Sequence, residues 1–205
     1  MTGFAAIAGV GKSIERMLNL AFNEREPVKN AATTAKLIRT DDLARGTVNA
    51  AILRPALSIF LYRVDFNKAM RAAWSAIGTV DGRGHLALDL HFLLTPWADN
   101  AEHEQMIVGR AMQAIEFTPI LSGPMYYAPT LPPALADEPQ PSATEAIQLV
   151  LEEISTEALM RIFDSLPTDY RLSVPYIARV VRLDTHLARA RPPVSDAQFP
   201  LRVTS

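Results

Sequence analysis

Four groups of residues in this 205-residue chain have the types and spacing that chemistry requires. "AGVGKS", Ala8 to Ser13, ends like a phosphate-binding loop, in which glycine amides cradle phosphate oxygens and a lysine neutralises them. The full pattern needs glycine five residues before Gly11, where Ala6 stands. It also needs a preceding buried strand, for which only five residues remain. The stretch is therefore read as part of an N-terminal helix with an exposed lysine, and no nucleotide binding is expected.

The second group is His85, Asp89 and His91, which fall on one face of a strand-like run and are competent zinc or iron ligands. Residues two apart on one face are separated by about 7 Å, so His85 and His91 would stand about 20 Å apart and could not share an ion. Only Asp89 and His91 could chelate together. A metal-dependent hydrolase using that pair is the alternative reading from another functional class. Otherwise His91 is a structural residue hydrogen-bonded near the edge of the core.

Arg63, Asn67 and Arg71 form the third group. They suit either an anion site or a salt-bridged interface cluster, and the interface reading is preferred. In the fourth, Trp74, Trp97, Tyr126 and Tyr127 sit among turns and prolines, which favours binding-surface aromatics over core anchors. Serine catalysis has little support: there is no G-x-S-x-G elbow, and Ser173 lies inside an apolar run. The chain has no cysteine, so disulfides, thiolate metal sites and thiol catalysis are excluded. No catalytic residue, cofactor or metal is expected.

The elements that must position these residues are legible from periodicity. In "HLALDLHFLLTPW", Leu86, Leu88, Leu90 and Phe92 alternate with His85, Ala87, Asp89 and His91, the period-2 pattern of a strand burying one face. "IFLYRVDFNKAMR" alternates less cleanly and suits a strand covered on most of both faces. These two runs are expected to centre one sheet. Ile7, Val10, Ile14, Met17, Leu18 and Ala21 recur at helical spacing, predicting an amphipathic helix from Phe4 to Phe22 that ends before Pro27.

Thr33 to Arg39 reads as an edge strand, and "TDDLARG" as a turn. Ala101 to Phe117 reads as a second helix, with Glu102 and Glu104 near the positive end of its dipole. Pro119 to Pro141 holds seven of the fifteen prolines and predicts a long surface loop. Ile147 to Leu151 is a short strand. Ser155 is placed to cap a helix from Thr156 to about Leu166, which Pro167 closes. Arg171 to Leu183 is a strand in which Pro175 implies an edge position or a bulge. The fold expected is α+β: a single domain with a mixed or antiparallel sheet and two to three helices on one side.

Hydrophobic residues make up 49% of the chain and charged ones 20%, with a net charge of −2. That is the composition of an ordinary globular domain, with no broad field for attracting nucleic acid or an acidic membrane. The apolar N-terminus lacks a basic start and is interrupted by Lys12, Glu15 and Arg16 before it reaches signal-peptide or membrane-span length. Cytoplasmic synthesis and assembly are expected.

The two central runs also carry a family resemblance, together with "HEQMIVGRAMQAIEFTPILSG" (His103 to Gly123) and "ISTEALMRIFDSLPTDYRLSVPYIARVVRLD" (Ile154 to Asp184). The points of match are Leu61-Tyr62-Arg63-Val64 with Asn67 and Arg71, Leu88-Asp89-Leu90-His91 with Leu93-Leu94, Gly109, and Tyr170-Arg171-Leu172-Ser173-Val174 with Tyr176. In order and spacing they resemble the tail-terminator, or cap, proteins of extracellular contractile injection systems, the antifeeding-prophage-like, phage-tail-like particles. The resemblance covers about the first 185 residues and departs from the family over Ala72 to Gly84 and after Asp184.

What it implies is a structural protein that closes the distal end of the tube and sheath and stops their polymerisation. Its partners would be itself, as a homohexameric ring, and the inner tube and sheath proteins, with neither nucleic acid nor membrane insertion. After assembly it would form part of the injection particle and leave the cell with it on release. A phage tail completion or head-tail joining protein is the alternative within the same class. Residues 1–184 are expected to form the cap domain and residues 185–205 an extended tail. Pro192-Pro193 would hold that tail off the sheet and so present Phe199, Leu201 and Val203 of "FPLRV" as a short strand for a neighbour. The candidate interface is Arg63, Asn67, Arg71, Tyr126, Tyr127, Phe199, Leu201 and Val203.

Overall fold

The period-2 runs do form paired strands. The computed structural model of the protein describes residues 3–43, 52–70, 85–130 and 146–184. Along the chain run α1 (Ala6–Glu24), β1 (Thr34–Ile38), β2 (Ala56–Phe66), β3 (His85–Trp97), α2 (Ala101–Phe117), β4 (Ile120–Ser122), β5 (Ala146–Leu151), α3 (Thr156–Asp164) and β6 (Val174–Asp184). Two 3-10 turns, Thr40–Leu43 and Gly123–Met125, punctuate them.

The six strands make one sheet in the order β1-β2-β3-β6-β5-β4. β1 lies parallel to β2, and every other pair is antiparallel, so the sheet is mixed. β2 and β3 pair side by side, but the middle pair of the six is β3 and β6, which places β2 second from one edge; the β2–β3 pairing has a register shift between Leu61 and Arg63. That shift puts Tyr62 opposite no partner and turns Arg63 onto the same face as His91, its cross-strand neighbour.

One face of the sheet carries Leu57, Ile59, Leu88, Leu90, Phe92 and Leu94. They are buried in one cluster with Val10, Ile14 and Leu18 of α1 and with Ile107 and Ala111 of α2. Both helices earn their place there by the apolar stripes that helical spacing produces. α2 starts where Asn100 accepts the His103 amide at 2.8 Å, and α3 starts where Ser155 accepts the Ala158 amide at 3.1 Å. On the opposite face, at the end where β2 begins, Ala56, Trp97, Ile38, Leu43 and Ile52 form a second cluster, against which Leu166 packs. The turn after α3 thus reaches the far face of the sheet, while α1 and α2 share the near one.

The expectation for Pro175 is corrected. β6 is an interior strand, flanked by β3 and β5. Pro175 is its second residue, and its carbonyl accepts the amide of Glu152, one residue beyond the end of β5. The donor that proline lacks therefore falls where the neighbouring strand has already ended, so no ladder bond is lost.

Arg71, Trp74, the Ala72 to Gly84 stretch, residues 131–141 of the proline-rich loop and the tail with Phe199, Leu201 and Val203 lie outside the described residues. The described part of that loop is not wholly irregular, since it holds β4 and the 3-10 turn Gly123–Met125. No helix among the described residues is long and apolar enough to cross a membrane.

Candidate functional site

The far face of the sheet changes character along β2 and β3. Past the Trp97 cluster it becomes polar, and there the β2 register shift brings Arg63 over His91. Glu152, just after β5, is only 9% exposed and reaches in from two strands away. Its carboxylate accepts from the Tyr62 hydroxyl at 2.6 Å and from Arg63 Nη2 at 3.1 Å, and both of its oxygens lie 2.9 Å from His91 Nδ1. On the other side, Asp65 lies 2.9 Å from Arg63 Nε and 3.3 Å from His91 Nε2.

Arg63 and His91 therefore each bridge the same two carboxylates. Two donors converging on one Glu152 oxygen explain why Arg63 Nη2 lies 3.0 Å from His91 Nδ1. Burial, and then the hydrogen bond it donates to Glu152, pushes the Tyr62 phenol well above its ordinary range. A buried charged group is tolerable only when paired, and here each is paired more than once.

Next along the same face Asn67 donates to both oxygens of Asp89, at 3.1 and 3.2 Å, while its own carbonyl accepts the Met70 amide. A cavity of about 560 Å³ opens beside Asp65, Asn67, Lys68, Asp89 and His91. At the end of the sheet Asp184, whose side chain is fully buried, lies 2.6 Å from His85 Nδ1 and 3.0 Å from Arg182 Nε. The two histidines thus have separate carboxylates, as their spacing required.

Asp89 and His91 are each engaged by other side chains: Asp89 is held by Asn67, and both ring nitrogens of His91 face Glu152 and Asp65. Among the described residues no three histidine or acidic side chains are grouped to hold a metal ion. Ser173 is buried and hydrogen-bonded at 2.7 Å to Thr95, which is a core role and not that of a nucleophile.

"AGVGKS" lies within α1, and its glycines serve close packing. A Cβ on Gly9 would stand 2.8 Å from the Tyr126 hydroxyl and 2.9 Å from the Tyr127 carbonyl, and one on Gly11 would meet Leu37 at 2.9 Å. Ser13 donates to the Gly9 carbonyl and accepts the Tyr127 amide, both at 2.7 Å, while Lys12 pairs with Glu15. Tyr126 donates to the Ala6 carbonyl at 3.2 Å, so this aromatic is a half-buried anchor for the loop, and Tyr127 is the more exposed of the two.

Trp97 is buried, donates to Ser58 at 2.8 Å, and has the Arg171 guanidinium 4.4 Å above its ring. An apolar groove of about 700 Å³ runs between α1 and α2 beside Met17, Leu20, Phe117 and Met125, bridged by Arg110, which donates to the Ala21 carbonyl.

The edges of the sheet are treated differently. β1 is an edge strand, and three of the backbone groups on its outer side are taken up by side chains of α1. Asn19 donates to the Ala35 carbonyl and accepts its amide, both at 2.9 Å, and Glu15 accepts the Leu37 amide at 2.7 Å. Nothing local in either stretch announces this seal, because it joins residues 16 and 22 positions apart. Glu152 escaped sequence reading for the same reason. Its type and its place after a strand carry no signal until β6 brings β5 beside β3.

The family model for the Pvc16 N-terminal domain matches residues 9–196, which takes in almost all of these elements. The chain belongs to the Pvc16 N-terminal domain family. Solved structures share this Pvc16 N-terminal domain fold. One is the PVC sheath/tube terminator of an extracellular contractile injection system in its extended state, with a TM-score of 0.54 and 18% identity over 100% of this chain and 66% of that one. Another is the anti-feeding prophage cap, a tube-terminating cap, with a TM-score of 0.51 and 20% identity over 93% of this chain and 59% of that one. The chain spans less than two thirds of the length of either. No curated protein matches it in sequence.

Proposed function

We propose that this chain is a structural cap: it seats on the last ring of the inner tube and sheath of a contractile injection particle and ends their growth. The observation that carries the reading is membership of the Pvc16 N-terminal domain family over residues 9–196, supported by a fold shared with two terminators. Growth by addition of identical rings stops when the terminal surface is occupied by a protein that offers no equivalent surface beyond it. A ring of six copies is the arrangement we infer, because a cap matches the symmetry of the discs it closes.

The charged face supports a role without catalysis. Its buried groups are mutually saturated, which suits a rigid sheet better than a poised acid or base. Arg63, Asn67 and Tyr127, with Arg71, are the interface residues we propose on this domain, and assembly in the cytoplasm before incorporation follows from the role.

The test is electron microscopy of particles from a strain in which the gene is deleted and then restored. Particles of irregular length or with frayed ends, corrected by restoration, are expected. A normal narrow length distribution in the deletion strain overturns the reading.

A further inference from the structure

β1 pairs on one side only, with β2. The Thr34 amide donates to the Pro55 carbonyl, just before β2, so by alternation Thr34, Lys36 and Ile38 turn their backbone groups toward β2 while Ala35 and Leu37 turn theirs outward. Outward groups of this kind are a template for another strand. α1 meets them with side chains that reproduce a strand's own pattern. The Asn19 carboxamide accepts the Ala35 amide and donates to the Ala35 carbonyl, both at 2.9 Å, which is the two-bond exchange made by a facing residue in an antiparallel pair. Glu15 Oε2 accepts the Leu37 amide at 2.7 Å.

The match extends to spacing. Glu15 and Asn19 are four apart on one helix and so about 6 Å apart along its axis, close to the roughly 7 Å between alternate residues of a strand. Both are also held from within α1. Lys12 takes Oε1 of Glu15 at 2.7 Å, leaving Oε2 for Leu37, and the Asn19 carboxamide donates a second bond to the Glu15 carbonyl at 2.8 Å.

We infer that α1 stands in for a seventh strand, and that its seal keeps β1 of one copy from pairing with β1 of a second copy. The edge it covers is self-complementary. In an antiparallel pair centred on Lys36, Ala35 of each copy faces Leu37 of the other, and their outward amides and carbonyls exchange two bonds. The two Lys36 residues then face each other as a non-hydrogen-bonded pair, with Cα atoms about 4.5 Å apart and within disulfide reach. Ala35 and Leu37 join the cluster on the α1 side of the sheet and Ile38 the cluster on the other, so Lys36 lies on the face opposite α1. Such a two-fold pair is a competing assembly that the seal suppresses in the free protein. The inference goes beyond the capping role and does not rest on it.

The chain has no cysteine, so a single introduced thiol reports one contact. Full-length Lys36→Cys is compared with the same chain carrying Glu15→Ala and Asn19→Ala, and with one carrying Ile107→Ala, which removes a fully buried side chain of α2 and leaves the seal intact. Oxidation at low protein concentration, with the 36–36 bond between copies followed by mass spectrometry, reads the pairing. The unsealed chain should form that bond at least tenfold faster than the sealed one, and the Ile107→Ala control no faster. Asn19→Asp keeps an acceptor for the Ala35 amide but sets a second oxygen against the Ala35 carbonyl. It should give an intermediate rate, and it carries the test if the double variant does not fold.

An unsealed chain that oxidises at the rate of the sealed one overturns the inference. So does an equal acceleration in the Ile107→Ala control, which would assign the pairing to general loosening of the fold. The assay uses the isolated protein, so its outcome is separate from that of the deletion strain.

Discussion

His91 and Glu152, 61 residues apart in sequence, meet with Nδ1 2.9 Å from the carboxylate oxygens, and both side chains are almost fully buried. The contact exists because β6 lies between β3 and β5, so that a residue just past the end of β5 leans across it. It ties three strands together at the point where the sheet changes from apolar to charged.

Replacing Glu152 by alanine strands His91 and Tyr62 without their acceptor. The expected cost is about 3 kcal/mol, the low end for breaking a buried pair, because Arg63 is half exposed and water takes over part of its charge. Glu152→Gln keeps an acceptor for Tyr62 and should cost roughly 1–2 kcal/mol. Denaturant unfolding measures both, and equal costs for the two variants would show that the charge is irrelevant.

Tyr62 sets an alkaline limit. Its folded-state phenol value is raised by burial and by Glu152, so the stability it contributes is fully present below its ordinary value of 10.0 and is lost as pH rises through the folded-state value. Stability should therefore fall above about pH 10 as the unfolded chain sheds the proton that the folded chain keeps. In Tyr62→Phe the decline should be shallower but still present, since burial, and secondarily Glu116, also raise Tyr176. Unfolding curves between pH 8 and 11 are the measurement.

The helical glycines should separate by what surrounds them. Gly9→Ala drives a methyl against the Tyr126 hydroxyl and the rigid Tyr127 carbonyl and should cost about 1–3 kcal/mol. Gly11→Ala meets only the movable end of Leu37, so the gain in helix propensity should largely offset the clash. Gly109→Ala in α2 has nothing within 4 Å and should stabilise by up to about 1 kcal/mol. Thermal midpoints of the three variants give the order.

The β1 seal predicts that Asn19→Ala leaves the Ala35 amide and carbonyl without their side-chain partner, costing about 1–3 kcal/mol. Hydrogen exchange at Ala35 should accelerate while exchange at the β2–β3 centre keeps pace with global stability alone. Unchanged protection at Ala35 would mean that the seal adds nothing.

Periodicity carried the local structure. The alternation at Leu86 to Phe92, the helical stripe from Ile7 to Ala21, the span from Ala101 to Phe117 and the cap at Ser155 all express rules that act within a few residues, so the chain specifies them without its fold. The same locality let spacing alone separate His85 from His91 and reject the phosphate loop at Ala6.

Tertiary structure decided whatever depends on which strands become neighbours. Pro175 signalled an edge or a bulge because proline lacks a donor, but the place where β5 ends made an interior position harmless. Glu152 became the hub of the charged face, and Asn19 the seal of β1, only once chain segments far apart in sequence were brought within 3 Å. A polar side chain has no period of its own to reveal its partner, and that choice belongs to strand order.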